Sequence, residues 1–170
     1  MLCTNLFSPN KLKYVTGRKR PEVDCILCAI VERDKKVTLL DVYRSENFIV
    51  SLNLYPFNTG HLLVFPKRHI EDTRKFTDEE ALEAHRLAGY SMDVIADIYG
   101  AKGFNVGYNV GSVSGASIAH VHMHIVPRYE RELGFVDIVG GAKIIVENPT
   151  VTIKKLIKGF QKRISKKDKK

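Results

Sequence analysis

The chain has 170 residues, a length that fits one domain better than two. Hydrophobic residues make up 44% of it and charged residues 27%, which excludes wholesale disorder and fibrous repeats. No apolar run approaches the ~18 residues that a membrane-spanning helix needs. The first residues lack the long apolar core of a secretory signal, so we expect a cytoplasmic protein.

The formal net charge of +8 comes from one end of the chain. Residues 154–170 contain nine lysines and arginines against one aspartate, which equals the whole excess. Residues 1–20 are also basic, so the body between the two ends is mildly acidic. A basic end can bind nucleic acid or an anionic surface, or it can be only a solvated tail. We therefore distinguish a basic C-terminal helix or tail, residues 151–170, from a main domain in residues 1–150.

Five segments of the main domain have the β-branched composition or the alternation that is typical of strands. They are residues 37–44, 47–53, 61–66, 104–110 and 118–126, with residues 143–147 as a further short candidate. Ser45-Glu46 predicts a tight hairpin turn between the first two. Pro66 and Pro127 are expected to end the third and the fifth strand, because proline has no N–H to donate.

One long helix is predicted within the main domain, over residues 78–99. Thr77 followed by Glu80 is a capping-box signature, apolar residues then recur at helical spacing, and Gly100 is an end signal. A second helix is predicted after Asn148-Pro149, with an apolar stripe that docks on the body and charge on its other side. Strands at hairpin spacing around one long helix indicate an α+β fold with a mostly antiparallel sheet.

Three of the six histidines alternate with apolar residues late in the main domain. On a strand, His120, His122 and His124 share one face about 6.6–6.8 Å apart, while the residues between them can enter the core. Burying three neutral imidazoles without partners is costly, so core packing alone explains the row poorly. The row is either a metal site or the site of a nucleophilic imidazole whose neighbours orient it and handle protons.

A small, flexible loop precedes these histidines. Its glycines and serines supply backbone N–H groups and hydroxyls that can form an anion-binding nest, although they also suit an ordinary turn. An anion cradle beside imidazoles indicates phosphoryl or nucleotidyl chemistry. The chain has neither a GxGxxG fingerprint nor a Walker motif, which disfavours a Rossmann domain and a P-loop kinase.

Cys25 and Cys28 form a C-x-x-C pair near the start of the main domain. The spacing suits one half of a zinc site or a redox pair, and equally two small buried residues near a turn. Three cysteines in a presumed cytoplasmic chain do not make a disulfide framework.

The segment His120-Val121-His122-Met123-His124-Ile125-Val126 resembles the His-x-His-x-His-x-x motif of the histidine triad superfamily, in which x is apolar. The resemblance extends over roughly residues 24–147, and residues 60–64 look like the strand entry of that family. The chain is most similar to the branch that contains the fragile histidine triad protein and the diadenosine tetraphosphate phosphorylases. The resemblance implies the histidine triad fold, a mostly antiparallel five-stranded sheet with one long helix and a C-terminal helix, assembled as a homodimer.

The resemblance also assigns catalytic roles. His122 would attack the α-phosphorus and form a covalent nucleotidyl-imidazole, and His120 would fix its tautomer and orientation. His124 would contact the phosphate or help to protonate the leaving group. An imidazole suits the nucleophilic role because its ordinary pKa of about 6.5 leaves a free nitrogen at neutral pH. The implied nucleotide-binding residues are Asn53 at the ribose, His61, Asn109, Gly115 and Ser117, of which His61 can also be merely structural.

Some relatives in the superfamily join a C-x-x-C pair to two histidines around zinc. By that resemblance, Cys25, Cys28, His69 and His120 would form a closed structural zinc site. The rival interpretation is that the histidine row itself holds a catalytic metal.

The leading functional hypothesis is a hydrolase or nucleotidyltransferase that cleaves dinucleoside polyphosphates, with either water or phosphate as the acceptor. One alternative is a purine-nucleoside phosphoramidase, which cleaves phosphorus–nitrogen bonds. A second alternative, of a different class, is a nucleotide sensor or a nucleic-acid-associated protein that binds through its basic ends.

Overall fold

The computed structural model describes residues 21–130 and 147–167 of the chain. The helices of this part are α1 (Ile26–Glu32), α2 (Asp78–Tyr99) and α3 (Pro149–Lys167). The strands are β1 (Asp41–Arg44), β2 (Phe48–Leu52), β3 (Leu62–Pro66), β4 (Gly103–Tyr108) and β5 (Met123–Arg128). None of the helices in these two ranges is both long and apolar enough to span a bilayer.

The five strands form one sheet in the order β1-β2-β3-β5-β4. Every neighbouring pair is antiparallel, which confirms the expected α+β class and the antiparallel five-stranded sheet. Strand β4 lies at one edge, and its Val106 side chain is 45% exposed.

The two faces of the sheet are covered by different helices, because alternate residues of a strand point to opposite sides. One face packs against α2 and α3 in the main core, which includes Val50, Leu62 and Val64. The other face packs against α1 in a smaller cluster that includes Leu63 and Phe65. Since β3 and β5 pair in register, His124 lies opposite Leu63, and Met123 opposite Val64. His124, the histidine of β5, therefore lies on the α1 side of the sheet.

Helix α2 begins and ends where its capping signals predict. The Thr77 hydroxyl accepts the Glu80 N–H, and the Glu80 carboxylate accepts the Thr77 N–H, which completes the capping box. Gly100 ends the helix in the left-handed conformation with φ 68°, which favours glycine. The side chain of Arg68, just after β3, makes two hydrogen bonds to the Glu80 carboxylate, so the start of α2 is attached to the sheet.

Helix α3 begins at Pro149, as the sequence predicts, and it packs on α2 and β1. Its Leu156 and Phe160 side chains are fully buried in the main core. A Cβ atom at Gly159 would lie 2.6 Å from Cγ1 of Val94, so this side chain of α2 packs directly against the backbone of α3.

Several boundaries differ from the prediction. The first strand begins at Asp41 instead of residue 37, and a register shift between Asp41 and Tyr43 interrupts its pairing with β2. The hairpin turn holds Asn47 in addition to Ser45 and Glu46. The strand proposed over residues 143–147 lies outside the described residues, except for Glu147, which is in a bend.

The last strand shows the largest difference, because it begins at Met123 instead of residue 118 and includes Pro127. Continuing the β3–β5 register would place Pro66 opposite Val121, and Pro66 has no N–H for the ladder. The Val121 N–H is donated to the carbonyl of Ile70 instead. His120 and His122 therefore precede the strand, and only His124 lies within it.

Candidate active site

His122 and His124 lie side by side, with ring centroids 4.8 Å apart. The Nδ1–H of His122 is donated to the carbonyl oxygen of His120 at 2.9 Å, since a carbonyl can only accept. Burial lowers the pKa of His122, so its imidazole is neutral near pH 7. A neutral ring that carries its proton on Nδ1 has its lone pair on Nε2. The local structure around His122 therefore leaves Nε2 as the nucleophilic nitrogen of its ring.

His61 connects the site to the loop before β3. Its Nδ1 accepts the N–H of Phe57 at 3.1 Å, so its proton is on Nε2. That Nε2 is 3.0 Å from Nδ1 of His124, and it donates to this atom. A neutral His124 is consequently protonated on Nε2. The two rings that flank the site therefore have opposite tautomers, with Nε2 of His122 as an acceptor and Nε2 of His124 as a donor.

The loop that carries these groups is anchored at several points. Gly60 has φ 83°, a conformation that favours glycine, and it leads the chain into β3 immediately before His61. The Asn58 side chain donates to the carbonyl of Pro127, and Tyr129 donates its hydroxyl to the carbonyl of Thr59. These bonds join the loop to the end of β5.

A cavity of about 390 Å³ opens beside His122 and His124 on the α1 side of the sheet. Its volume is within the usual range for a small-molecule site. Much of its wall is apolar and comes from α1, β3 and the segment before β1. Polar groups of the lining include Asn53, Ser117, His122 and His124.

The predicted nucleotide-binding residues occupy different positions around this cavity. Asn53 and Ser117 line it, whereas Asn109 and Gly115 do not occur among the described lining residues. The Asn53 side chain also contacts His61 through Nδ2 and accepts the N–H of Tyr55 through Oδ1. Their roles toward a ligand stay predictions.

The C-x-x-C pair and two histidines form a compact cluster next to the cavity. The ligand atoms of Cys25, Cys28, His69 and His120 all lie within 4.8 Å of one another. Nδ1 of His120 is 3.5 Å from both sulfur atoms, and Nδ1 of His69 is 3.3 Å from the sulfur of Cys28. Burial raises the pKa of the Cys28 thiol to about 11, and the neighbouring Cys25 adds to this effect.

The donor set of this cluster fits zinc. Two thiols and two imidazoles are a common tetrahedral combination for a structural zinc ion. Nε2 of His120 donates to the carbonyl of Pro66 at 2.9 Å, which leaves the lone pair on Nδ1 directed at the sulfur atoms. Nε2 of His69 lies 3.6 Å from the carboxylate of Glu71, and such outer partners commonly orient ligating histidines.

His120 belongs to both parts of the site. Its ring lies in the cysteine cluster, and its backbone carbonyl orients the ring of His122. The side chain is fully buried, and burial lowers its pKa to about 4. The alternation of the three histidines predicted one shared face. In the structure, His122 and His124 lie together, whereas the ring of His120 lies in the cysteine cluster.

Sequence reasoning missed two contributors to the site. Helix α1 has only seven residues, and its N-cap acceptor is the thiol of Cys25, so neither length nor a usual capping residue signals it. Phe57 is half exposed and stacks on His61 and His124, with ring centroids 5.0 and 6.0 Å apart. Its position in a Pro-Phe-Asn turn close to His61 was the available signal.

Comparisons with known proteins agree with this architecture. A family model described as HIT domain matches residues 34–131. A relative from Mycobacterium tuberculosis H37Rv, named AP-4-A phosphorylase, is 40% identical over 107 residues, which are 62% of this chain and 55% of that protein. The asymmetrical bis(5′-nucleosyl)-tetraphosphatase of Schizosaccharomyces pombe is 30% identical over 97 residues, which are 57% of this chain and 53% of that protein. The chain thus spans about half the length of these two relatives.

A solved structure extends the comparison to most of the chain. It is a zinc-bound histidine triad family protein from Mycobacterium smegmatis, with a TM-score of 0.70 and 26% identity. The match covers 84% of this chain and 96% of that one. Since the family model spans more than half of the sequence and the fold agrees, the chain belongs to the HIT, or histidine triad, family.

Proposed function

We propose that this protein is a nucleotidyl hydrolase or transferase that cleaves dinucleoside polyphosphates of the diadenosine tetraphosphate type. The observation that carries the proposal is the neutral ring of His122, whose Nε2 has no hydrogen-bond partner in the part of the chain that the structure describes and which lines a cavity of about 390 Å³. The names of the two curated relatives, a phosphorylase and a tetraphosphatase, support the same substrate class.

The reaction would run in two displacements. In the first, Nε2 of His122 forms a bond to the α-phosphorus, and the bond from phosphorus to the leaving polyphosphate oxygen breaks. The Nε2–H of His124 donates a hydrogen bond to the leaving oxygen, which departs as the polyphosphate anion with the electrons of the broken bond. In the second, water or phosphate attacks the phosphorus, the phosphorus–nitrogen bond breaks and its electrons return to Nε2 of His122, and the proton of the attacking oxygen is released to solvent. Two inversions at phosphorus would give net retention.

The lining of the cavity suits the base, ribose and phosphate groups of a nucleotide substrate. Its apolar wall suits a purine base, and Asn53, one of the polar residues of the lining, would bind a ribose hydroxyl. Ser117, with Asn109, Gly115 and nearby N–H groups, would hold the non-bridging phosphate oxygens, where charge stabilisation contributes most to such catalysis.

We propose in addition that Cys25, Cys28, His69 and His120 hold a structural zinc ion. Zinc would cross-link the start of α1 to the segment that follows β3 and the segment that precedes β5. The protein's own contribution is the orientation of His120, whose opposite ring nitrogen is bound to Pro66.

We also propose that the protein forms a homodimer and is located in the cytoplasm. Strand β4 supports a dimer, because it is an edge of the sheet that the described residues form and carries the half-exposed Val106 side chain, and such an edge can pair with a second chain. Light scattering on the purified full chain tests this directly, and a monomer at all concentrations would contradict it. A nucleic-acid-associated role through the basic C-terminal helix, residues 151–170, is a separate proposal.

Product analysis with diadenosine tetraphosphate tests the function. Incubation with inorganic phosphate gives ADP and ATP if the protein is a phosphorylase, and AMP and ATP if water is the acceptor. His122→Ala is expected to abolish turnover, and substantial residual activity in that variant would remove His122 from the nucleophile role. Faster cleavage of adenosine phosphoramidate than of diadenosine tetraphosphate would favour the phosphoramidase instead.

A further inference from the structure

Helix α3 carries a face of lysines that the main body does not neutralise. Lys154, Lys158 and Lys162 are exposed and four residues apart, so they follow one side of the helix with a rise of about 6 Å between neighbours. Among the described residues, none of the three has an acidic partner. Two other bases of the helix do have one, because Lys155 pairs with Glu147 and Arg163 with Asp93. We call Lys154, Lys158 and Lys162 the lysine face.

The lysine face is held in a fixed position on the body. On the opposite side of α3, Leu156 and Phe160 are fully buried, and Phe160 stacks on Tyr43 with ring centroids 5.8 Å apart. The close approach at Gly159 sets α3 directly against α2. The three ammonium groups therefore extend from an anchored helix, so less conformational entropy is lost on binding than from a free tail.

We propose that the lysine face binds the phosphate backbone of duplex nucleic acid, without regard to base sequence. A row of flexible, singly charged side chains neutralises successive phosphates and releases their counterions. The exposed neighbours of the row on α3 include Val151, Lys155, Gln161 and Ser165, none of which offers an aromatic ring for stacking on unpaired bases. Direct reading of bases would also require groups that enter a groove, and this face presents none.

The same residues disfavour an anionic membrane as the partner. A helix that lies in a bilayer surface buries its apolar side in lipid, whereas the apolar side of α3 is already packed on the protein. Only Val151, 44% exposed, remains apolar next to the lysines. The nucleotide cavity lies on the α1 side of the sheet and α3 on the other, so this binding does not compete with the proposed reaction.

The test measures binding of the full chain to a short labelled duplex of mixed sequence by fluorescence anisotropy over a series of salt concentrations. The variant Lys154→Gln/Lys158→Gln/Lys162→Gln keeps good helix formers at all three positions. The control variant, Lys35→Gln/Lys75→Gln/Lys102→Gln, removes the same charge from three exposed lysines elsewhere. Circular dichroism and cleavage of diadenosine tetraphosphate show that both variants are folded.

We expect the lysine-face variant to bind the duplex at least about tenfold more weakly at low salt, and the control to change less than about threefold. The slope of log affinity against log salt is expected to fall by up to about 2.7, because each neutralised phosphate contributes about 0.9. Equal weakening in the control would overturn the proposal, since net charge alone would then explain binding. Absent duplex binding, preference for a single strand, or binding only to phosphatidylserine vesicles would overturn it as well.

Discussion

Single hydrogen bonds to backbone atoms determine which histidine nitrogen of the site is a proton acceptor and which is a donor. The carbonyl of His120 makes Nε2 of His122 the acceptor, and the N–H of Phe57, acting through His61, makes Nε2 of His124 the donor. The row of histidines was readable in the sequence because its spacing is local. The tautomers were not, because they depend on main-chain atoms that only the tertiary fold brings near the rings.

Replacing His61 tests this chain of bonds. His61→Asn keeps an acceptor near the Phe57 N–H but removes the donor to His124, so we expect kcat to fall about tenfold to hundredfold with little change in KM. His61→Gln places its amide near the position of Nε2, and it should retain most of the activity. The pH profile of kcat should also change in the asparagine variant, because His124 loses the partner that sets its proton. Equal losses in both variants, with an unchanged pH profile, would indicate a purely structural role.

At the scale of elements, local signals predicted the helices with strong caps, and tertiary contacts decided the rest. Both ends of α2 were predicted because Thr77, Glu80 and Gly100 act on their own turns. Helix α1 was missed because it is short and its N-cap is a thiol. The start of β5 was misplaced because Pro66, more than fifty residues away in sequence, interrupts the ladder.

Glu80→Gln is expected to destabilise the protein by about 1 kcal/mol at pH 7, because it weakens the capping box and the ion pair with Arg68. Hydrogen bonds from Arg68 hold the pKa of Glu80 below its ordinary value of 4.5. The stabilisation is therefore present above pH 4.5 and is lost as the pH falls through the lower, folded-state pKa. Urea unfolding at pH 7 and pH 3 measures it, with Glu46→Gln as the exposed control. A difference that persists unchanged at pH 3 would contradict this account.

The contact between α2 and α3 gives a second prediction for this scale, with two alanine substitutions of opposite sign. Gly159→Ala places a methyl group 2.6 Å from the side chain of Val94, and we expect overpacking to cost about 1–3 kcal/mol. Gly89→Ala, within α2, meets no atom within 4 Å and should stabilise the helix by about 0.5–1 kcal/mol. Chemical denaturation measures both. If Gly159→Ala is neutral or stabilising, the close packing of the two helices is wrong.

For the whole molecule, the sheet separates two sets of functional groups. The cavity, the histidines and the cysteine cluster lie on the α1 side, and helices α2 and α3, the latter with the lysine face, lie on the other. The sequence predicted the residues of the cysteine cluster through family resemblance. It did not predict the Glu71 contact, because this depends on how the chain turns after β3.

Metal content and thermal stability test the cysteine cluster. The purified protein, prepared without chelators and with its thiols reduced, should contain about one zinc per chain. Cys28→Ser should lose the metal and lower the Tm, because the cross-link between α1 and the sheet is gone. Cys3→Ser is the control and should keep both. Clearly substoichiometric zinc in the parent protein, or an unchanged Tm in Cys28→Ser, would count against the site.

A variant in which the cysteine pair is substituted tests the rival interpretation. If its activity is lost on chelation and recovered when metal is added, a metal on the histidine row is favoured.

Three polar atoms of His120 contact different neighbours: Nε2 contacts the carbonyl of Pro66, Nδ1 the sulfur atoms of the cysteine pair, and the backbone carbonyl the ring of His122. A related sequence without the two cysteines would lose only the contact between Nδ1 of His120 and the sulfur atoms. The bond from the His120 ring to Pro66 would still position the His120 carbonyl, which orients the ring of His122. Position 120 should accordingly change more slowly in evolution than the cysteines that surround it, and sequences without the C-x-x-C pair should retain its histidine.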